Sequence, residues 1–226
     1  MRSLSVAVLG AGTAGLSAAL VLARDGHRVT LVERDPLPIG AATDALAWPR
    51  RGISHFQQPH AFIPRGRKEM RTFFPDVFAA LVDAGAWDVD LRPKIRGDAR
   101  AEDEELAYFA ARRPLIEWAL RRAALDEPDV RVMSGATATG YVADAGDPPR
   151  VTGVLTTDGP IRADLVIDAM GRRSASPAWI EAFRGRPQVE RSSDCGVISG
   201  MARSRPSRVT TGRSRPCWRS LPATRS

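Results

Sequence analysis

Short apolar runs alternate with amphipathic stretches along most of this 226-residue chain. Near the N-terminus the pattern predicts a buried strand at 5–9, a helix over 16–23 and a second strand at 28–32. Gly26 stands where the helix would end, because glycine tolerates the left-handed backbone of a helix C-terminus. Strand, helix and strand in this order predict a βαβ unit and hence an α/β domain.

Apolar residues recur at helical spacing in two later segments, which predicts helices over 76–86 and 113–124. The second helix is amphipathic, and we expect Arg121 and Arg122 on its solvent face. Its apolar stripe consists of Leu115, Ile116, Ala119, Leu120 and Ala123.

The remaining apolar runs are short and separated by turn residues. They predict a strand at 130–133, a β-meander within 140–163 and a buried strand at 164–169. From about residue 200 the scattered apolar residues follow neither the period of a strand nor that of a helix. Such a segment cannot bury enough surface to offset the entropy of ordering it, so we expect a disordered tail over 200–226.

The turn between the first strand and the first helix has the sequence Gly10-Ala11-Gly12-Thr13-Ala14-Gly15. Here Gly10 permits a sharp turn, Gly12 lets a pyrophosphate approach the backbone, and Gly15 lets the helix pack closely on the strand. The N-terminus of the helix adds unpaired N–H groups and the positive end of its dipole. The turn therefore predicts a dinucleotide-binding site at Gly10, Gly12, Thr13, Ala14 and Gly15.

An acidic residue, Glu33, ends the second strand, where dinucleotide-binding units place the acid that binds ribose. Its carboxylate would accept hydrogen bonds from the ribose hydroxyls and repel a 2′-phosphate. This favours FAD or NAD over NADP as the nucleotide held here, although the neighbouring Arg34 weakens the exclusion.

Three separated segments carry recognisable motifs: the glycine turn with Glu33, the run Arg113-Pro114-Leu115-Ile116-Glu117, and the run from Asp164 to Ser174. Together they resemble the FAD-dependent oxidoreductases of the class A flavoprotein monooxygenase (aromatic hydroxylase) superfamily. Three shorter motifs are Gln58-Pro59-His60, Pro64-Arg65-Gly66 and Pro177-Ala178-Trp179. They resemble a bacterial branch of FAD-dependent oxidoreductases or epoxidase-like monooxygenases. The resemblance covers residues 4–198.

This resemblance implies further site residues. Arg113 would reach the flavin nucleotide, with Arg112 as the alternative. The third segment would touch the FAD pyrophosphate and help the nicotinamide cofactor through Asp168, Gly171, Arg172 and Ser174. His60 is a weak catalytic candidate near flavin or substrate, and a structural role is its alternative. No other catalytic residue is identified, and the histidines have no third ligand for a metal site.

The resemblance also implies the organisation of the chain. We expect a Rossmann-like FAD-binding domain over 1–180, with a parallel sheet, helices and the β-meander. Within it, residues 41–105 form an insertion toward the substrate side. Residues 181–199 would begin an incomplete substrate domain, and the basic tail follows. The abrupt loss of pattern near residue 199 suggests a reading-frame shift or a truncated gene.

The implied activity is that of an FAD-dependent oxidoreductase of the monooxygenase type. NAD(P)H would reduce FAD, and the reduced flavin would activate O₂ to hydroxylate or epoxidise a small organic substrate. The alternatives are a flavin reductase or dehydrogenase, and an inactive truncated fragment that binds FAD without turnover.

Charge and cysteine content limit the partners. Seven of the 33 Lys and Arg residues and none of the 26 Asp and Glu residues lie in 196–226, so residues 1–195 carry no net charge. We therefore expect no nucleic acid partner, the alternative being contacts made by the Arg-rich tail.

The nucleotide motif explains the apolar run at 4–23 better than a signal peptide does, so no membrane span is expected. Two cysteines without metal-ligand spacing favour a cytoplasmic location. The sequence leaves the oligomeric state unknown.

Overall fold

The structure is a computed structural model that describes residues 2–37, 40–50, 52–53, 55–94, 98, 100, 103, 106–183, 189 and 193. The chain divides into two units, 1–190 and 191–226, and every described residue except 193 belongs to the first unit. The expected tail over 200–226 lies outside the described residues, as does most of the expected start of a substrate domain over 181–199.

The described residues form strands and helices in alternation. The strands are β1 (Ser5–Leu9), β2 (Arg28–Glu33), β3 (Pro59–Phe62), β4 (Trp87–Asp90), β5 (Ala107–Arg112), β6 (Val130–Ser134), β7 (Ala138–Ala143), β8 (Val151–Thr156), β9 (Gly159–Arg162) and β10 (Leu165–Asp168). The helices are α1 (Thr13–Arg24), α2 (Ala42–Ala45), α3 (Pro64–Phe73), α4 (Pro75–Asp83), α5 (Arg113–Asp126) and α6 (Ser176–Ala182). None of the described helices combines the length and the apolar character needed to cross a bilayer.

Four parallel strands form one sheet in the order β10-β1-β2-β6. The register places Leu9 of β1 beside Val32 of β2 on one side and Asp168 of β10 on the other. The carboxyl ends of these strands therefore lie along one edge of the sheet. This edge is where open α/β sheets bind ligands.

Both faces of this sheet are covered. Along β1, Val6 and Val8 pack into the core formed with α1 and α5, whereas Ala7 and Leu9 pack into a second core formed with the β-meander. Burial on both faces explains why β1 is a continuous apolar run instead of an alternating one. The result is a Rossmann-like α/β fold, as the sequence predicts.

Two antiparallel sheets complete the described fold. The predicted β-meander is confirmed as the sheet β7-β8-β9, with Gly159 at φ +111° after its second turn. A second antiparallel sheet, β3-β5-β4, was not predicted. Its central strand β5 runs directly into α5, so that Arg113 begins the helix immediately after the strand ends.

Two expectations about helices need correction. The helix predicted over 76–86 covers Pro75–Asp83, because Gly85 takes the left-handed backbone (φ +87°) and ends it early. The expectation that Arg121 faces solvent is wrong, since this residue is only 1% exposed. It is buried because α5 packs against α1, α2, α4 and strands of two sheets, which leaves little of its surface to solvent.

The packing of α1 on its own glycine turn predicts a strong effect for Gly15→Ala. A Cβ atom at Gly15 would lie 1.8 Å from the carbonyl oxygen of Gly10, a backbone atom that cannot rotate away. We expect this variant to lower the free energy of unfolding by about 1–3 kcal/mol or to prevent folding. Chemical denaturation measures the difference.

The matched control is Gly140→Ala, where the added Cβ would meet Leu155 Cδ1 at 3.5 Å, an ordinary van der Waals distance. Equal stability of the two variants would contradict the proposed packing constraint.

Candidate cofactor-binding site

The glycine turn after β1 contacts the end of β2 on one side and the segment after β10 on the other. Gly10 takes φ +97°, and its N–H donates to the carbonyl oxygen of Val32 at 2.7 Å. A Cβ at Gly10 would lie 2.8 Å from the carbonyl oxygen of Ala169, just beyond β10. Glycine is therefore required at this position by backbone conformation and by packing together.

At Gly12 the situation is different. Its φ of −78° suits any residue, and among the described residues a Cβ there would have only the Arg113 Nη2 atom, at 3.9 Å, within 4 Å. Packing among these residues therefore does not require glycine at position 12. The open space above its backbone is what the close approach of a ligand requires.

Helix α1 begins at Thr13, directly beside this space, and no described side chain caps its N-terminus. The first amide groups of a helix have no partner within the helix. The predicted residues Thr13, Ala14 and Gly15 thus present backbone donors and the positive end of the helix dipole to the open space at Gly12.

Glu33 lies at the carboxyl end of β2 with only 7% of its side chain exposed. Its Oε2 accepts a hydrogen bond from the Ala11 N–H at 2.7 Å, and its Oε1 accepts one from the Asp35 N–H at 2.9 Å. Arg50 Nη2 donates to the same Oε2 at 3.2 Å. A carboxylate has about four acceptor positions, so capacity remains for a further donor such as a ribose hydroxyl.

The neighbour of Glu33, Arg34, has 60% of its side chain exposed, and its Nε lies 3.8 Å from Asp35 Oδ1. The acid therefore belongs to the interior of the site, whereas the arginine beside it lies at the surface.

Arg50 is a buried residue of this site that the sequence analysis missed. Only 4% of its side chain is exposed, although it comes from a loop. Besides Glu33, it contacts the Ala11 carbonyl oxygen (Nη2, 3.3 Å) and Asp35 Oδ2 (Nη1, 3.3 Å). Its Nε lies 3.3 Å from Glu117 Oε2. No local pattern marks such a residue, because its partners come from three different parts of the chain.

Arg113 is held at the glycine turn by two partners. Its Nε donates to Glu117 Oε1 at 3.0 Å, one turn along α5, and its Nη1 donates to His55 Nε2 at 2.5 Å. Glu117 is fully buried. Between the two candidate arginines, the structure brings Arg113 to the glycine turn, whereas Arg112 is exposed at the end of β5.

His60 reaches the site through His55. The two imidazole rings stack with centroids 5.5 Å apart, and His60 Nδ1 lies 3.2 Å from the Gln58 carbonyl oxygen, which can only accept. The same carbonyl accepts the backbone N–H of Arg113 at 3.1 Å. His55, which the sequence analysis does not name as a candidate, therefore contacts Arg113 directly, whereas the candidate His60 contacts the ring of His55.

The third predicted segment lies at the same sheet edge but bonds mainly within itself. Asp168 Oδ1 accepts the Met170 N–H at 2.9 Å, and its Oδ2 accepts the Ser174 hydroxyl. Gly171 takes φ +83°, and its carbonyl accepts the Ser174 N–H at 2.9 Å. This turn follows Ala169, whose N–H donates to the carbonyl oxygen of Leu9, the last residue before the glycine turn, at 2.9 Å. The side chain of Arg172 is exposed.

A third guanidinium, that of Arg121, lies 4.0 Å from the centre of the Trp48 ring. Burial and the charge of Arg50 lower the pKa of Arg121 to about 10, although Glu117 and Glu33 oppose the shift. Arg50 and Arg113 each lie within 3.3 Å of a carboxylate oxygen, so this part of the site is a cluster of alternating buried charges. Among the residues that the structure describes, no group of three or more His, Cys, Asp or Glu side chains is placed to hold a metal ion.

The contact between Arg113 and His55 predicts a measurable titration. Burial first, then the charge of Arg113, lowers the pKa of His55 below its ordinary value. Arg113→Met removes the repulsion but not the burial, so we expect the pKa of His55 to rise toward the ordinary value without reaching it. NMR titration of the histidine ring protons measures this shift.

Arg112→Met is the matched control, because Arg112 is exposed and makes no contribution to the shift. An unchanged His55 titration in Arg113→Met would show that the two side chains are not neighbours in solution.

Two solved structures share this fold at low sequence identity. A variant of PqsL from P. aeruginosa is 16% identical and superposes with a TM-score of 0.58 over 85% of this chain and 48% of that one. A variant of 2-methyl-3-hydroxypyridine-5-carboxylic acid oxygenase is 20% identical, with a TM-score of 0.52 over 79% of this chain and 42% of that one. These likenesses establish the fold.

Sequence comparison assigns the family. Protein Rv3254 of Mycobacterium tuberculosis (strain ATCC 25618 / H37Rv) is 30% identical over an alignment of 210 residues, and the alignment covers 84% of this chain. The chain spans 42% of the length of that relative. The model of the family described as FAD dependent oxidoreductase matches residues 5–172, from β1 to just beyond β10. With this match over most of its length, the chain belongs to the FAD dependent oxidoreductase family.

Proposed function

We propose that this chain binds FAD across the carboxyl edge of its parallel sheet and serves an NAD(P)H-dependent monooxygenase reaction on a small organic substrate. The observation that carries the proposal is the open space at Gly12. It is bordered by the N-terminus of α1 and the Arg113 guanidinium, and packing among the residues that the structure describes does not account for the missing side chain.

The residues around this space fit a dinucleotide in both shape and charge. The pyrophosphate would lie on the Gly12 backbone, where the first amides of α1 donate to its oxygens. Arg113 would add charge-assisted hydrogen bonds from the opposite side. Glu33 would accept a hydrogen bond from a hydroxyl of the adenosine ribose at its remaining acceptor position.

The other predicted residues have supporting roles in this proposal. Gly10 and Gly15 set the path of the turn, and Arg34 lies at its outer rim. Asp168, Gly171, Arg172 and Ser174 form the neighbouring turn, where they would approach the pyrophosphate or the nicotinamide nucleotide.

When bound, FAD would supply the redox chemistry, taking electrons from a nicotinamide nucleotide and passing them to O₂ for oxygenation of the substrate. The described residues of this chain bind and orient the cofactor. Neutral His55 would keep Arg113 directed at the turn by accepting its hydrogen bond. His60, stacked on His55, would limit the movement of that ring.

The monooxygenase reaction is supported by the fold shared with the pyridinecarboxylic acid oxygenase. A cytoplasmic location belongs to the same proposal, because the reaction would draw on cellular NAD(P)H. Oxidation of NAD(P)H without an oxygenated product would instead indicate a flavin reductase. Bound FAD without NAD(P)H oxidation would indicate a cofactor-binding fragment.

The first test of the proposal is Gly12→Ala. The added methyl group fits the protein, so the free energy of unfolding should stay close to that of the wild type. The same methyl group would occupy the space of the pyrophosphate, and we expect the Kd for FAD to rise about tenfold or more. The measurement is FAD retention after desalting, followed by titration of flavin fluorescence.

Gly140→Ala serves again as the control, because its Cβ also fits but lies in the β-meander. A Gly12→Ala protein that binds FAD as tightly as the wild type would place the cofactor elsewhere and overturn the proposed site.

A further inference from the structure

A continuous chain of alternating charges connects the two ends of the candidate site. It begins at Glu33, at the end of β2, and passes through Arg50 and Glu117 to Arg113 at the start of α5. The three successive nitrogen–oxygen distances are 3.2, 3.3 and 3.0 Å. Every side chain in it is at most 16% exposed, so solvent screens these contacts little.

Arg50 occupies the middle of this chain. Its Nη2 donates to Glu33 and to the Ala11 carbonyl oxygen of the glycine turn, and its Nε forms an ion pair with Glu117 Oε2 at 3.3 Å without a hydrogen bond. A guanidinium can serve several acceptors at once because its five N–H groups are fixed in one plane. The ammonium group of a lysine is a single point and could not reach both carboxylates in this way.

The loop that carries Arg50 is itself anchored to the core. Trp48 is 7% exposed and stacks under Arg121 of α5, while Trp118 Nε1 donates to the Gly40 carbonyl oxygen at 2.9 Å. The backbone on the N-terminal side of Arg50 is therefore tied to the same helix that carries Glu117 and Arg113. This arrangement gives Arg50 a defined position between the two carboxylates.

We propose that Arg50 is a positioning residue that couples the ribose end of the cofactor site, Glu33, to the pyrophosphate end, Arg113, through Glu117. The inference rests on the proposed FAD site. It goes beyond that site by making the two ends interdependent, so that a change at one end alters what the other contributes to FAD affinity. Arg50 itself needs no contact with the cofactor for this role.

Coupling separates this role from a merely structural one. Residues that do not share a network contribute to a binding free energy almost additively, whereas networked residues deviate by about 0.5–3 kcal/mol. If Arg50 only stabilised the fold, its replacement would lower the free energy of unfolding. The fold changes in the Kd for FAD caused by substitutions at Glu33 and at Arg113 would then be multiplicative in the wild type as well.

The test is a double-mutant cycle of Glu33→Gln and Arg113→Gln on the full chain, with the Kd for FAD measured by flavin fluorescence. We expect the double variant to depart from the product of the two single effects by about threefold or more. In an Arg50→Lys background the same cycle should become multiplicative. Arg50→Lys alone should raise the Kd for FAD about tenfold.

Arg67→Lys is the matched control. Its side chain is 11% exposed and pairs with Asp88, but it lies on α3, which packs on the antiparallel sheet. We expect it to leave both the Kd for FAD and the coupling unchanged. Thermal unfolding of every variant confirms that the folded protein is being compared.

Each outcome decides a different point. If the effects of Glu33→Gln and Arg113→Gln on the Kd are multiplicative in the otherwise wild-type protein, the inference is overturned while the proposed FAD site stands. Coupling that persists when Arg50 is replaced by lysine overturns the inference as well. If Arg50→Lys does not fold, the same cycle in a Glu117→Gln background takes its place, because the coupling is proposed to pass through Glu117, and coupling that persists there overturns the inference. If the wild type does not bind FAD, the proposed function fails, and this inference fails with it.

Discussion

The close approach of α1 to the turn that precedes it is the constraint on which the rest of the site depends. The helix can begin at Thr13 only because Gly15 lets its backbone lie against the carbonyl of Gly10. The same turn is held on its other sides by Val32 of β2 and Ala169 beyond β10. Three strands and one helix thus fix a single short loop, and the amides of that loop are presented at the carboxyl edge of the sheet.

Burial of charge is the second organising feature. Glu33, Arg50 and Glu117 would each be costly to bury alone, because desolvation of an isolated ion exceeds what any neutral contact returns. They are tolerated here as an alternating series in which each charge faces an opposite one. Arg121 shows the limit of this arrangement, since burial and its neighbour Arg50 lower its pKa to about 10.

In the proposed site, these two features would let the protein hold a dinucleotide with few side-chain ligands. Backbone amides and the dipole of α1 would carry most of the recognition of the phosphates. The side chains that surround them, among them His55 and Glu117, orient one guanidinium. In the proposed function the flavin would supply the redox chemistry, and the protein would supply position and charge.

The sequence by itself determined the βαβ unit, the β-meander and the family resemblance. Those features are local, because a glycine turn, an apolar strand and a helical period are each written within a short run of residues. It also placed Glu33 and Arg113 correctly at the ends of their elements.

The antiparallel sheet β3-β5-β4, the burial of Arg121 and the role of Arg50 were decided only by the tertiary structure. The strands of that sheet are short, and they pair segments that are distant in the chain. The periodicity of the sequence therefore does not predict this sheet. Whether an arginine faces solvent or a buried carboxylate depends on which elements cover it. For Arg121 this depends on the packing of α5 against α1, α2, α4 and the loop that carries Trp48.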